Sequence, residues 1–147
     1  GRTRALTLTV AVGGSMPKTT EDIQSYLLKM DLRYEEPREG TWLLSGLDGI
    51  DKIIITLAGP VVVFRVKIMD IPRHNREDLF RTLLELNATE MMHGAYGIEG
   101  ESIVICDALQ LENLDYNEFA ATIDDITLAV ASHHSRLAKY HDHVTGR

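Results

Sequence analysis

The sequence predicts an α+β domain in which three helices are combined with an antiparallel sheet. Three segments carry apolar residues at helical spacing, and five carry the short apolar or alternating runs that are typical of strands. Turn signals, rather than helices, join most consecutive strands, which favours antiparallel pairing. The predicted order is α-β-β-β-α-β-β-α, with five strands in the sheet. A chain of 147 residues suits a single domain.

The first helix is predicted from its start signal. Thr19 is a suitable N-cap, and Asp22 stands three residues later, as in a capping box. The apolar residues that follow fall on one helix face: Ile23, Tyr26, Leu27 and Met30. Pro37 and Gly40 then interrupt the chain, so the first strand is placed at residues 41–46, TWLLSG.

The segment KIIITLAGPVVVFRVKIMD, residues 52–70, predicts a hairpin with a defined register. With Gly59 and Pro60 as a two-residue loop, three facing pairs lie on one side of the sheet. They are Leu57 with Val62, Ile55 with Phe64, and Ile53 with Val66. A slip by one residue would set Ile55 against Val63 and mix the core and solvent faces. Glycine at the first loop position suits a type II′ turn.

A second helix is predicted at HNREDLFRTLLELN, residues 74–87, with Asn75 as its N-cap. Its apolar stripe consists of Leu79, Leu83 and Leu86. Phe80 and Leu84 lie beside that stripe, so the apolar arc is wide. A wide arc indicates a helix held between two surfaces, either within the subunit or across a dimer.

Glycines at 94, 97 and 100 in HGAYGIEGES raise the question of a phosphate-binding loop. Their spacing is G-x-x-G-x-x-G rather than G-x-G-x-x-G, and an apolar β-branched run follows instead of a helix. We therefore predict a hairpin that turns at Glu99 and Gly100. Its second strand, residues 102–109, is apolar on both faces, so we expect it to be central and covered on both sides. Gly94 and Gly97 indicate a bulge or the close approach of another backbone.

The last predicted helix begins at Asp115, with Glu118 completing a capping box, and it extends to about Tyr140. Its apolar face is formed by Phe119, Ile123, Ile126, Val130 and Leu137. The chain is accordingly divided into three parts. These are an N-terminal extension or added strand at residues 1–15, a single α+β domain at residues 16–140, and a flexible tail at residues 141–147.

Composition argues against several classes of function. The net charge of −7 opposes binding to nucleic acid, which needs clustered Lys and Arg, and to an anionic membrane surface. No stretch approaches the ~20 apolar residues that span a bilayer. The single cysteine, Cys106, cannot form an internal disulfide, fits a reducing cytoplasm and is expected in the core. We expect a cytoplasmic protein without a metal or cofactor.

Four sequence features carry a resemblance to a known family. They are a helix ending in Leu-x-x-x-Asn at residues 83–87, a Gly-aromatic-Gly hairpin at 94–97, an apolar strand at 103–105, and Leu-Glu-Asn-Leu-Asp at 111–115. With these features, residues 80–127 resemble the YbjN-like bacterial proteins, a family described as sensory-transduction regulators. The resemblance implies a fold like that of type III secretion chaperones, with a five-stranded antiparallel sheet, three helices and a homodimer.

The resemblance also implies a protein-binding module with no chemistry of its own. Because some relatives are linked to two-component signalling, the implied client is a sensor kinase or an associated protein. We therefore expect a non-catalytic, homodimeric, chaperone-like regulator that binds a segment of another protein by apolar contact, in a groove or by strand addition.

Two surfaces are candidates for binding. Leu43, Ile54 and Val63 would share the sheet face opposite the main core, where apolar residues can form a partner-binding patch. Alternatively, a helix or the N-terminal segment covers them, and the sequence leaves both possibilities open. The dimer interface is expected where the middle helix meets the glycine hairpin. Its residues are Phe80, Leu83, Leu84, Tyr96 and Ile98.

Residues with catalytic or metal-binding chemistry form no compact pattern. Four histidines crowd the C-terminal end: His133, His134, His141 and His143. They are the basis of the alternative function, a metal-assisted hydrolase, but an exposed polar end is the simpler interpretation. Asp124 and Asp125 are assigned to the solvated face of the last helix, and His74 and His93 to boundaries between elements.

Overall fold

The computed structural model describes residues 19–47 and 49–142. The helices are α1 (Thr20–Lys29), α2 (Arg76–Thr89) and α3 (Tyr116–Ala138). The strands are β1 (Arg33–Arg38), β2 (Thr41–Ser45), β3 (Ile53–Ala58), β4 (Val61–Asp70), β5 (Ala95–Glu99) and β6 (Ser102–Gln110). The extension or added strand expected at residues 1–15 lies outside the described residues, as does most of the expected tail.

All six strands belong to one antiparallel sheet with the order β1-β2-β3-β4-β6-β5. The predicted α+β class and the three helices are confirmed, and the sheet has one more strand than the five predicted. The additional strand is β1, whose sequence RYEEPR carries few apolar residues and includes Pro37. An edge strand tolerates proline because one of its sides makes no ladder hydrogen bonds.

The predicted register of the β3–β4 hairpin is confirmed. Ile55 pairs with Phe64 and Leu57 pairs with Val62 across a loop of two residues. Gly59, the first loop residue, has φ +62°. This left-handed value, followed by proline with its fixed negative φ, is the combination that a type II′ turn requires.

The turn between β5 and β6 lies one residue further along the chain than predicted. Glu99 pairs with Ser102, so Gly100 and Glu101 form the loop rather than Glu99 and Gly100. Gly100 has φ +62°, as Gly59 does in the other hairpin. A glycine at the first loop position therefore sets both turns, because a left-handed φ costs glycine least.

One hydrophobic core lies between the three helices and one face of the sheet. Trp42, Ile55 and Phe64 line this face and have no solvent exposure. The rings of Phe64 and Phe119 pack at 5.5 Å between centroids, which places α3 against the centre of the sheet. No residue of the opposite sheet face belongs to the core cluster of the described residues.

Strand β6 lies between β4 and β5, as expected of an inner strand, but the helices cover only one of its faces. Ile103 and Ile105 belong to the core, whereas Val104 points to the opposite face. Val104 is nevertheless only 4% exposed, and its neighbours across the sheet are Lys67 and Gly97. Among residues 19–47 and 49–142, helices therefore cover one face of β6, and on its other face Val104 is buried and Cys106 is half-buried.

The helix starts follow the predicted signals in two of three cases. The backbone amide of Thr19 donates to the Asp22 carboxylate at 2.7 Å, and the Asp115 carboxylate accepts from the Glu118 amide at 2.8 Å. At α3 only this half of the predicted capping box forms, since the Glu118 carboxylate makes no return hydrogen bond to the Asp115 amide. Asn75 occupies the N-cap position of α2, but its side chain makes no capping hydrogen bond and its φ is +62°. Asparagine tolerates this left-handed conformation better than most residues, so it acts as a turn residue here.

Candidate protein-binding surfaces

The open face of the sheet brings together the three residues predicted to bind a partner. Leu43 lies directly opposite Ile54 in the β2–β3 ladder. Ile54 in turn faces Arg65, and Val63 is two residues from Arg65 on β4, so its side chain points the same way. Ile54 is 39% exposed, while Leu43 and Val63 are half-buried. Nothing among the described helices covers this apolar group.

Polar residues border the open-face patch, which we define as Leu43, Ile54 and Val63. On β4, Arg65 pairs with Glu99 at 3.5 Å, and both side chains are partly exposed. On β6, Cys106 lies opposite Arg65 and is half-buried. The expectation of a core thiol is therefore wrong, because the even-numbered residues of β6 face away from the helices.

The exposed side of α2 forms a second apolar surface. Leu84 is 67% exposed, and Phe80, one turn before it, is half-buried. They line an open groove of about 710 Å³ together with Ala88. Charges of both signs border this α2 groove, because Glu77, Arg81 and Glu85 follow one another at intervals of four residues along the helix.

The structure separates the five residues assigned to the dimer interface. Leu84 and Ile98 are exposed and Phe80 is half-buried, so these three are available to a second molecule. Leu83 and Tyr96 are buried among the core residues of the subunit. Residues three apart on a helix are neighbours on its surface, so Phe80 and Leu83 belong to the same apolar arc in the sequence. The sequence pattern alone therefore could not show that Leu83 is buried while Phe80 remains partly open.

Tyr96 belongs to a hydrogen-bond network that joins α2, β5 and α3. Its hydroxyl is 2.7 Å from Nδ1 of His133, and Nε2 of His133 is 3.0 Å from the Glu90 carboxylate. Since a carboxylate only accepts, Nε2 carries the proton, and Nδ1 of a neutral ring accepts from the tyrosine hydroxyl. Arg136 contacts both Glu90 oxygens at 3.0 and 3.1 Å.

This network has electrostatic consequences for its two acids. The hydrogen bond from Arg136, followed by that from His133, lowers the pKa of the Glu90 carboxyl below its ordinary value. Burial raises the pKa of the Tyr96 hydroxyl well above its ordinary value. The tyrosine therefore stays protonated and able to donate, and the network holds three elements together.

His133 is 2% exposed, so its assignment to an exposed polar end is wrong, whereas His134 and His141 are exposed as expected. Within the described chain, no group of three His, Cys, Asp or Glu residues is placed to hold a metal ion. His143 lies outside the described residues. The metal-assisted hydrolase therefore gains no support from the C-terminal histidines.

Asp125 and His93 form a second link that the sequence did not indicate. The His93 ring is hydrogen-bonded to the Asp125 carboxylate, and both side chains are about one-third exposed. Asp125 is therefore not simply a solvated charge, and His93 ties the loop before β5 to α3.

Asn87, the last residue of the Leu-x-x-x-Asn pattern, binds the outer edge of β5. Its carboxamide oxygen accepts from the Tyr96 amide at 2.8 Å, and its amide group donates to the Tyr96 carbonyl at 3.2 Å. The side chain thus imitates the backbone of a neighbouring strand. Because β5 is an edge strand, this pairing closes part of an edge that would otherwise accept another chain.

No helix among the described residues is long and apolar enough to cross a membrane. A comparison with curated protein sequences finds no match. Solved structures do share the fold. YbjN from E. coli has 15% identity and a TM-score of 0.62, over 81% of this chain and 93% of that chain.

Two secretion complexes contain similar chains. One is the heterodimeric ExoU–SpcU complex of the type III secretion system of Pseudomonas aeruginosa, with 16% identity and a TM-score of 0.64 over 82% of this chain and 98% of that chain. The other is the HopA1–SchA chaperone–effector complex, with 8% identity and a TM-score of 0.56 over 76% and 89%. At these identities the likeness is one of fold, and it confirms the predicted fold class. Residues 16–143 match the CesT_Tir_1 family model, and the chain therefore belongs to this family of type III secretion chaperones.

Proposed function

We propose that this protein is a non-catalytic, homodimeric, chaperone-like regulator in the cytoplasm that binds a segment of another protein. The observation that carries the proposal is the open-face patch, where Leu43, Ile54 and Val63 lie together on the side of the sheet that none of the described helices covers. Apolar residues grouped on an otherwise polar face are typical of a site that a partner covers. Membership of a chaperone family supports a protein as the partner.

The client contact extends beyond these three side chains. A stable specific interface buries at least about 1,000 Å² in total, which three half-buried residues do not supply. An extended segment that crosses the open face would add contacts to the flanking aliphatic and polar residues. Strand addition is the other mode of client binding. Because Asn87 already occupies the β5 edge at Tyr96, an added strand would pair with the other edge of the sheet, β1.

We assign the client to the class that the sequence resemblance implied, a sensor kinase of two-component signalling or an associated protein. The structural neighbours include complexes of a chaperone with its effector, which supports a protein client in general terms. The kinase assignment rests on the resemblance to YbjN-like regulators.

The homodimer would form through the α2 groove. A two-fold contact applies the same surface twice, so Phe80 and Leu84 of each copy would cover one another. Arg81 lies one turn from both Glu77 and Glu85 and pairs with Glu85 of the same helix at 3.4 Å. Both side chains of this pair are exposed, so they can exchange partners with the same residues of a second copy. Ile98, exposed on β5, lies on the helix side of the sheet and extends this surface.

The test is capture of partners from native lysate by the wild type and by an Ile54→Asp/Val63→Asp variant, with mass-spectrometric identification. Burying two aliphatic side chains contributes about 1.5–3 kcal/mol each, so the variant should bind its client about a hundredfold more weakly. Both side chains face away from the core, so the circular dichroism spectrum and the unfolding midpoint should stay close to the wild type.

The matched control is Leu28→Asp/Leu128→Asp, which adds the same charge at exposed leucines on the helical layer. A protein retained by the wild type and the control but lost from the Ile54→Asp/Val63→Asp variant supports the assignment. Equal capture by all three proteins would remove the open-face patch from the proposal.

A further inference from the structure

A cluster of basic side chains surrounds an open pocket where the start of α2 meets the end of α3. The pocket has a volume of about 340 Å³. Its polar lining includes Arg73, His74, Lys139, His141 and Asp142. All five are exposed residues, so the pocket is open to a ligand from solution.

The side chains that line this pocket are mainly basic, whereas the chain as a whole is acidic. The whole sequence carries a net charge of −7, whereas the lining has two permanent cations, Arg73 and Lys139, and one carboxylate. The two imidazoles add hydrogen-bond donors whether or not they are charged. A site with this inventory attracts anions through charge and hydrogen bonding.

Acidic residues close in the chain have their own partners or line another surface. Asp78 accepts from the hydroxyl of Tyr140, which also lines the pocket, and Asp70 pairs with Lys67 at 2.7 Å. Glu77 lines the α2 groove instead. A further cation, Arg76, is held at the start of α2 by a hydrogen bond of 2.7 Å from its Nε to the Pro72 carbonyl.

The structure shows a carboxylate already held at this place. Both oxygens of Asp142 accept from the backbone amide of Arg73, at 3.1 and 3.3 Å, and one oxygen is 3.4 Å from the Arg73 Nε. Asp142 follows α3 in the chain and is the last of the described residues. A carboxylate held by an amide and a guanidinium is a charge-assisted arrangement that a carboxylate of another molecule can reproduce.

We propose that this pocket binds an acidic segment of the client protein, and that Asp142 occupies the carboxylate position when the client is absent. The inference rests on the proposed client-binding function and adds a chemical preference to it. Asp142 then competes with the client for the same position within its own chain. This competition lowers the affinity of the pocket for weakly acidic segments, whereas strongly acidic segments can still displace Asp142.

The probe is a fluorescein-labelled decapeptide of alternating Glu and Gly, with a Gln-Gly decapeptide as its uncharged counterpart. Binding is measured by fluorescence anisotropy at about 0.1 M ionic strength, where exposed charges more than about 10 Å apart are largely screened. Asp142→Asn removes the internal competitor and should bind the Glu peptide about fivefold more tightly than the wild type, since charge-assisted hydrogen bonds exceed neutral ones. The Gln peptide should not bind to either protein.

Two further variants separate the pocket from general charge effects. Lys139→Glu leaves the Asp142 contacts in place and should weaken binding of the Glu peptide about tenfold, because it replaces attraction by repulsion. Lys29→Glu makes the same change at an exposed lysine that lies over the Tyr116 ring, at the opposite end of α3 from Lys139. It should leave binding within about twofold, since the length of this helix, about 35 Å, separates the two lysines. Each variant is checked by circular dichroism before use.

Equal binding of the Glu peptide to the wild type and Asp142→Asn would overturn the proposal, as would equal losses in Lys139→Glu and Lys29→Glu. These results are distinct from failure of the client-binding function. If the lysate experiment shows no dependence on Ile54 and Val63 while Asp142→Asn still strengthens peptide binding, the open-face patch fails and the basic pocket stands. If instead capture from lysate depends on Ile54 and Val63 while Asp142→Asn binds the Glu peptide no more tightly than the wild type, the basic pocket fails and the open-face patch stands.

Discussion

At Gly94 the absence of a side chain allows the backbone of this residue to pack closely against β6. A Cβ at this residue would lie 3.0 Å from the carbonyl oxygen of Cys106, and φ is +80°. The sequence predicted a close approach at Gly94 or Gly97, and it occurs at Gly94, whereas a Cβ at Gly97 would meet open space. Both glycines fit the sequence pattern equally, so only the packing of β5 against β6 distinguished them.

Gly94→Ala should destabilise the protein more than Gly46→Ala, which makes the same change at an identical φ of +80° with nothing nearby. The conformational cost of about 1–2 kcal/mol applies to both variants. Gly94→Ala adds overpacking against backbone, which costs about 1–3 kcal/mol more. Urea unfolding of the two variants measures the difference, and equal free energies of unfolding would show that the contact with Cys106 imposes no strain.

Asn87 and His133 are residues whose roles came from tertiary contacts. Neither an asparagine near a helix end nor a histidine within a helix specifies a partner at the sequence level. Asn87 meets Tyr96 through the close packing of α2 on β5, and His133 meets Glu90 across a separation of 43 residues. The sequence resemblance marked Asn87 as part of a pattern without giving its function as the partner of an edge strand.

The helix α2 illustrates how one wide apolar arc serves two surfaces. Leu79, Leu83 and Leu86 are buried against the sheet, and the outer part of the arc, Phe80 and Leu84, remains open. The sequence predicted a helix held between two surfaces, and one of those surfaces is the subunit's own core. The other is the α2 groove, for which we propose a second copy.

Leu84→Glu should convert the proposed dimer to a monomer at micromolar concentration, because it would place a charge at the centre of the proposed apolar two-fold contact. Leu28→Glu is the control, since Leu28 on α1 is also 67% exposed. Sedimentation analysis of wild type, variant and control measures the mass. A monomeric wild type, or a Leu84→Glu protein that remains dimeric, would contradict the assignment of the α2 groove.

The described part of the molecule has one core on one side of one sheet. Buried residues of all three helices and of strands β2 to β6 belong to the same cluster. This arrangement leaves the opposite sheet face without helical cover in the described residues, and this is the face to which we assign the proposed client contact. The fold thus positions the proposed binding site by leaving it open rather than by building a cavity.

A single core also predicts cooperative unfolding. Trp42 is the only tryptophan in the sequence and has no solvent exposure, so its fluorescence reports the packing of the core. Its unfolding curve in urea should coincide with that of far-UV circular dichroism, as expected for a two-state domain of about 150 residues or fewer. Two separate midpoints would show that part of the sheet unfolds independently of the core around Trp42.

The sequence by itself determined the features that depend on neighbours in the chain. Helical spacing, the capping residues Thr19 and Asp115, and the register around Gly59 all follow from local geometry, and the structure has each as predicted. The sharing of one face by Leu43, Ile54 and Val63 followed too, because side chains alternate along strands of known register.

The tertiary structure alone decided which exposed and buried environments those elements create. It made β1 an edge strand despite Pro37, buried Tyr96 and His133 in one network, and left Cys106 and Leu84 facing outward. The physical reason is that burial depends on contacts between residues far apart in the chain. A periodic pattern identifies the apolar side of an element, but the packing of the other elements determines how much of that side is covered.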